Sequence, residues 1–365
     1  MNQIKNKLLE MNVLFIMTAF FTLNVAVCSA ADIESRIGLV VTYHIQNADG
    51  KDVADDLQKL IDSHPNRTIY FPDGEYLVSK PIYTPADPRK SVSLRLTEFA
   101  VIKAIGDWKP GEAVIQLGGI HPANDTRTNG SNYSMEGGIV DGSGMANGIS
   151  INSGRETAIR NVSIKNTVVG IHIKHGANSG SSDSDITGVN IIGTGKTNSV
   201  GVLVEGYDNT FTNMRIGNVF TGVHLKSGGN VLRNIHPLYY SDYTDYLNSC
   251  GFLCERGDNW LDYCYSDQFG IGFRTTGNAT AFFNDCFCYW YAAKGGTQTA
   301  FKADQKFNSI ITNFRIGFRD KGVTNVILSV GEKGGTGTLD NLSVNESLTQ
   351  DDTYKTYLDG KARRK

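Results

Sequence analysis

The chain has 365 residues, 40 of them glycine, and its 35 basic against 37 acidic side chains leave a formal charge of −2. That balance excludes the strong basic field that nucleic acid or an anionic membrane surface would require. The length allows one elongated domain with a sizeable core.

Residues 1–30 read as a signal peptide. Lys5 and Lys7 give a basic start, Val13 to Val27 an apolar run, and Cys28-Ser-Ala30-Ala31 a small-residue cleavage site. The run is short and no stop-transfer pattern follows, so no stable membrane span is expected. The mature protein is then secreted or periplasmic. A lipoprotein attached through Cys28 is the weaker alternative, because Val27 is bulky just before it.

Asp32 to Gly50 is a polar lead-in. Val53, Leu57, Leu60 and Ile61 share one face at helical spacing, which predicts a capping helix over Asp52 to Ser63. Thr68-Ile-Tyr-Phe-Pro-Asp-Gly-Glu-Tyr-Leu-Val reads as strand, turn, strand, and Ser91 to Ala104 as two more short strands. From Gly148 to Gln305 one phrase recurs: Gly148-Ile-Ser-Ile-Asn, Gly170-Ile-His-Ile-Lys, Gly201-Val-Leu-Val-Glu, Gly222-Val-His-Leu-Lys, Gly251-Phe-Leu-Cys-Glu, Gly272-Phe-Arg-Thr and Ala300-Phe-Lys-Ala-Asp. The starts lie 22, 31, 21, 29, 21 and 28 residues apart. Such a period, with alternating apolar residues in every unit, marks a solenoid of strands.

A second strand follows in each unit, after a turn at Asn209, Asn230, Asn259, Asn278 or Asn308 and a further polar residue at Asn213, Asn234, Tyr263, Asn284 or Asn313. Units this short have no room for crossover helices, so strands must stack on their counterparts about 4.8 Å away. The fold expected is all-β: a single-stranded right-handed parallel β-helix with an N-terminal capping helix. Abundant glycine suits its tight turns. Insertions at Gly176–Asp185, Gly193–Val200, Leu238–Ser249 and Tyr289–Thr299 mark one elaborated side. After Gly331 the repeat weakens. Residues 31–346 are read as one β-helix domain including its cap, and 347–365 as a polar, partly disordered tail.

Five cysteines lie in the domain: Cys250, Cys254, Cys264, Cys286 and Cys288. An odd number leaves one thiol unpaired. Cys264 and Cys286 fall near matching positions of adjacent coils, as a disulfide or, preferably, a buried sulfur stack. Cys286-Phe-Cys288 has no second pair at zinc-ligand spacing. No cofactor is expected; calcium is left open, without a motif for it.

Three stretches together resemble the opening of the pectate-lyase-like superfamily: Asp55-Asp-Leu-Gln-Lys-Leu-Ile, Ile69-Tyr-Phe-Pro-Asp-Gly-Glu-Tyr-Leu-Val and Val101-Ile-Lys-Ala. Gly138-Ile-Val-Asp141-Gly-Ser-Gly144 is similar to an early-coil phrase of the same superfamily. The resemblance spans roughly residues 50–330. It implies a β-helix that handles saccharides, with a polysaccharide or oligosaccharide as partner. It leaves the reaction open, because the superfamily holds lyases, hydrolases, epimerases, fructotransferases and phage tailspikes. The Asn-Thr-Asp, Asp-Asp, Gly-His-Gly and Arg-Ile-Lys set of polygalacturonases is absent. So is the Asp cluster with Arg-x-Pro-x-x-Arg of calcium-dependent pectate lyases. No catalytic residue is carried over, and Asp141 reads as a turn residue.

Two outward rows could hold chemistry. Asn152, Lys174, Glu205, Lys226 and Glu255, beside His172 and His224, read as a solvated ladder of alternating charge. The second strands present Ser163, Asn190, Arg215, His236, Tyr265, Phe287 and Arg315, next to the insertion that begins at His236. Aromatic faces stack on sugar rings and carboxylates bond their hydroxyls. Unpaired carboxylates are also costly in a core. The candidate catalytic residues are therefore Asp242, Asp267, His236 and Asp245. The candidate substrate-binding residues are Arg215, Tyr239, Tyr240, Tyr265, Trp260, Tyr289 and Lys294. A glycosidase, with two carboxylates about 5–9.5 Å apart, is the leading reading. A lyase using His236, a tyrosine and Arg215 comes next, and a non-catalytic glycan-binding β-helix third. The oligomeric state is left open.

Sequencing of exported material should find the N-terminus at Ala31 or Asp32. Palmitate label on Cys28 would establish the lipoprotein instead.

Overall fold

A computed structural model describes residues 50–119, 133–176, 181–239, 245–277, 279–291, 296–319, 323–344 and 352–358, and the backbone of 39–40. Each recurring phrase is a strand, as in Val200–Val204, Thr221–Leu225, Cys250–Cys254 and Ile271–Thr275. These strands pair in parallel with the phrases in register: Val202 with Val223, Val223 with Phe252, Phe252 with Phe273. Ten such strands, from Ile82–Tyr83 to Thr324–Val330, form a narrow sheet. Alternation turns Val202, Val204, Val223, Leu225, Phe252, Phe273 and Phe301 inward, each at most 3% exposed. The rows stack as expected: the Phe252 and Phe273 rings lie 4.8 Å apart and 7° from parallel.

The glycine that opens each phrase does not make a turn. A Cβ on Gly201 would stand 2.3 Å from Ile216 Cγ2 and 2.5 Å from the Gly222 carbonyl oxygen. The narrow sheet is pressed against the opposite wall there, and only a hydrogen fits.

That opposite wall is a wide sheet of nineteen strands, bent once in each coil. At the bend stands a left-handed residue: Asn161, Asn213, Asn234, Tyr263, Asp285, Asn313 or Asn341, with φ between 50° and 55°. Asn284, expected at this corner, is one residue early. Asparagine tolerates the conformation and its amide bridges coils, as Asn234 Nδ2 donates to Asn213 Oδ1 at 2.8 Å. A second, fully buried ladder runs through Asn209, Asn230 and Asn259. Asn209 Nδ2 donates to Asn230 Oδ1 at 3.1 Å, and Asn230 Nδ2 to Asn259 Oδ1 at 3.0 Å. The same oxygens accept from the backbone N–H of Asn209 and Asn230. Asn278 lies outside the described residues.

Both ends of the apolar stack are covered. The helix α1, Ala54–Ser63, buries Ala54, Leu57 and Ile61. At the other end part of the segment read as a tail is described, residues 352–358. Thr353–Tyr357 form a 3-10 turn that buries Tyr354 and Tyr357, the latter 5.1 Å from the Phe307 ring. All five domain cysteines are free and buried. Burial, then a hydrogen bond with Cys264, pushes the Cys286 thiol well up, which fits a stack rather than a disulfide. No described helix is long and apolar enough to cross a membrane.

The outer face of the narrow sheet carries histidine–carboxylate pairs with a two-coil repeat. His172 and His224 alternate with Leu203 and Leu253 along one row. Each histidine reaches a carboxylate one coil on: His172 Nε2 to Glu205 at 3.1 Å and His224 Nε2 to Glu255 at 2.7 Å. Arg274 continues the row and meets Asp304 at 2.7 Å. Lys226 bonds Glu205 from the other side at 3.1 Å.

Leu225→Asp should destabilise by about 4 kcal/mol or more, since it buries an unpaired charge. An unchanged melting temperature would contradict the inward row. Burial depresses the His172 and His224 pKa values despite their carboxylate partners. Burial alone would raise Glu205, but its bonds from His172 and Lys226 outweigh that and hold it low. The unfolded chain therefore takes up protons first on both kinds of group. Stability present near pH 7 is lost as pH falls below about 6.5 through the depressed histidine values, and further as Glu205 titrates. The fall in melting temperature between about pH 7 and about pH 5 should shrink in a His172→Gln, His224→Gln variant. An equal fall would assign the acid sensitivity to other groups.

Candidate active site

The corner residue resets the strand alternation. Ile235 and Pro237 follow Asn234 with their side chains inward, while His236 and Leu238 turn outward. The same holds in each coil, so outward side chains align along the axis. Ser163 pairs with Asn190, Asn190 with Arg215, and Arg215 with His236. Beyond, Tyr265 pairs with Phe287 and Phe287 with Arg315. The two runs join where the His236 ring stacks on Tyr265, centroids 3.6 Å apart and 23° from parallel. A parallel row places Ile192, Gly217, Leu238, Asp267 and Tyr289 beside it.

His236 and Asp267 are both half-buried, with Nε2 and Oδ2 3.5 Å apart. Neither Nε2 nor Asp267 Oδ1 has a hydrogen-bond partner among the described residues. Burial raises the Tyr265 phenol above its usual range and Asp267 adds to this; nearby Arg215 offsets only part. Asn190, Ile192, Arg215, Gly217, His236 and Leu238 line a groove of about 200 Å³. Its floor is apolar and its rim carries one guanidinium, one imidazole and one amide. This arrangement can bind a ring, hold an anion and move a proton.

Of the residues singled out from sequence, Arg215, His236, Tyr265 and Asp267 meet here. Tyr289 pairs with Asp267 and is half-buried beside Phe287, ring centroids 5.6 Å apart. Tyr239 does not line the groove. It is fully buried, packed on Tyr246 and Phe269 at 5.5 Å each, because it continues the inward parity of Ile235 and Pro237. Trp260 is on the other half of the wide sheet, before the corner. Its ring lies parallel to Phe282 at 5.5 Å, so one of its faces is already covered. Asp245 precedes the turn Tyr246–Asn248 and accepts a 2.6 Å bond from Asn248. Asp242, Tyr240 and Lys294 lie outside the described residues. Sequence reasoning passed over Tyr263, the exposed tyrosine at a corner otherwise held mostly by asparagine; its place in the Asn213–Asn234–Asn313 series was the available signal.

No family model matches the sequence, and no curated protein does. Solved structures match in fold. An alginate lyase from Paenibacillus sp. str. FPU-7 is 14% identical with a TM-score of 0.54, over 80% of this chain and 97% of that one. The tailspike protein of E. coli bacteriophage HK620 is 12% identical with a TM-score of 0.61, over 86% of this chain and 68% of that one. The catalytic domain of a GH87 alpha-1,3-glucanase is 10% identical with a TM-score of 0.54, over 86% of this chain and 66% of that one. At these identities the likeness is one of architecture, and the architecture is that of the right-handed parallel β-helix.

Proposed function

We propose that this protein cleaves an acidic polysaccharide by β-elimination, with His236, Tyr265, Asp267 and Arg215 carrying the chemistry. The observation behind this reading is the stacked His236–Tyr265 pair, with a guanidinium one coil away and a carboxylate beside the imidazole. Elimination next to a uronate carboxylate needs a base, an acid for the leaving oxygen and a cation to hold the carboxylate. With Nε2–H turned toward Asp267, the ring keeps Nδ1 as the base, and Asp267 stabilises the imidazolium that forms. The raised Tyr265 phenol is protonated at neutral pH and suits the acid role. Arg215 pairs with the uronate.

The step balances as follows. The C5 proton moves to His236 Nδ1 and its electron pair forms the C4–C5 double bond. The C4–O bond breaks, and the Tyr265 proton goes to the departing oxygen. Solvent then returns a proton to Tyr265 and takes one from His236. A lyase and a glucanase among the fold neighbours support a glycan substrate. The N-terminal segment supports action outside the cytoplasm.

Hydrolysis is the second reading. Asp267 Oδ1 favours it, as a carboxylate oxygen left unsatisfied beside the groove. It requires a second carboxylate, for which Asp242 and Asp245 are the candidates.

The test is a panel of acidic and neutral polysaccharides incubated with purified protein. Elimination yields an unsaturated, ultraviolet-absorbing product, lighter by one water than the hydrolytic one. His236→Ala and Tyr265→Phe should each lower kcat by about 10²–10⁴. New reducing ends without absorbance would replace elimination by hydrolysis. Binding with no cleavage of any polysaccharide would leave a glycan-binding protein.

A further inference from the structure

Glycine replaces asparagine at the corners Gly137 and Gly188, and two coils place a residue that is neither; both of these lie in the site. Tyr263 stands at φ 53° and Asp285 at φ 50°, where Asn213, Asn234, Asn313 and Asn341 hold other corners. A bulky residue is strained in this conformation. Burial does not offset the strain at Tyr263, whose side chain is 62% exposed. A strained, exposed aromatic next to a reacting pair marks a position kept for contact.

The surroundings identify the contact. Arg233, Asp262, Tyr263, Asp285, Phe287 and Arg315 line a groove of about 600 Å³. Its carboxylates are already engaged. Asp262 meets Arg233 at 3.3 Å and accepts from Asn284 at 3.2 Å, and Asp285 accepts from Asn284 at 2.9 Å. Arg315 lies over the Phe287 ring, 5.6 Å from its centroid, with no carboxylate partner among the described residues. A fork of N–H donors held on an aromatic face is preorganised for a carboxylate.

We propose that this groove is a subsite for a second acidic sugar, remote from the bond that is cleaved, with Arg315 holding its carboxylate and Tyr263 stacking on its ring. The proposal rests on the reading of the chain as acting on acidic polysaccharide. Arg315 is three coil steps past His236, about 14 Å, while Arg215 is one step before it. A chain laid along the coils reaches both guanidinium groups only when it is several sugars long. The protein then acts within chains and favours long oligosaccharides over short ones.

The test is calorimetric binding in the His236→Ala background, so that ligands stay intact. The probes are uronate oligosaccharides of two and of six residues, from pectate and from alginate, with a carboxyl-reduced hexamer as control. Arg315→Gln should weaken binding of the acidic hexamer by about tenfold, the effect of one charge-assisted bond at a wet surface, and change the dimer little. It should also flatten the salt dependence of hexamer affinity. Tyr263→Asn should weaken the hexamer while raising the melting temperature, because the corner regains its usual residue; a purely structural role would raise stability alone. Unchanged hexamer affinity in both variants, or a reduced hexamer binding as tightly as the acidic one, overturns the subsite. If acidic hexamers bind through these residues but the wild type forms no unsaturated product, the subsite stands and elimination falls. If the wild type eliminates and the variants bind like the parent, elimination stands and the subsite falls. If no acidic oligosaccharide binds or is cleaved, both fall.

Discussion

Everything in this molecule depends on coil-to-coil register. A strand of a β-helix has little to hold it beyond parallel hydrogen bonds and the side chains directly above and below. A slip of one residue would turn every apolar side chain outward. The buried amides of Asn209, Asn230 and Asn259 oppose that slip, because each accepts from a backbone N–H of the preceding coil and the latter two also from its asparagine side chain. Out of register, these buried polar groups would lose their partners, a cost of about 1–3 kcal/mol each. The same register builds the site. His236, Tyr265, Phe287 and Arg315 are far apart in sequence, and they line up because their strands stack in register.

Much of this was legible in the sequence. The recurring Gly-apolar-x-apolar phrase foretold the narrow sheet and its inward rows, and the spacing of Val53, Leu57 and Ile61 the helix that closes the first coil, because strand period, helix period and burial are local properties. What escaped was anything decided by a neighbouring coil. Abundant glycine was read only as suiting tight turns, whereas Gly201 is forced by Ile216 of the facing wall. Tyr239 read as part of an aromatic insertion, whereas the corner at Asn234 had already set its parity inward. Trp260 read as a sugar platform, but its match in the next coil is Phe282, and two flat rings at one coil spacing stack on each other. The tail was read by its polarity, while within it Tyr354 and Tyr357 are buried, Tyr357 against Phe307.

The two outer faces show how charge is used differently on one scaffold. On the narrow sheet, each half-buried histidine meets a carboxylate one coil on, with leucine between successive histidines. Such a face is neutralised internally and has little left for a ligand. On the wide sheet, Arg215 and Arg315 are exposed, and the polar atoms between them at His236 and Asp267 lack hydrogen-bond partners among the described residues. An unsatisfied imidazole nitrogen and carboxylate oxygen are costly when buried, and here they stand between two exposed guanidinium groups.

Corner strain carries the same distinction one step further. A left-handed residue is needed in every coil, and asparagine meets that need at low cost while adding a bridging amide. Replacing it by Tyr263 gives up the bridge and adds strain without burying the ring. Stability alone offers no reason for that exchange. The change falls on the coil that also carries Tyr265 and Asp267, next to the coil of Phe287. A fold that repeats its solution coil after coil reveals its working surface where it abandons the repeat, and here Tyr263 and Asp285, at corners otherwise held by asparagine or glycine, stand within two coils of His236 and Asp267.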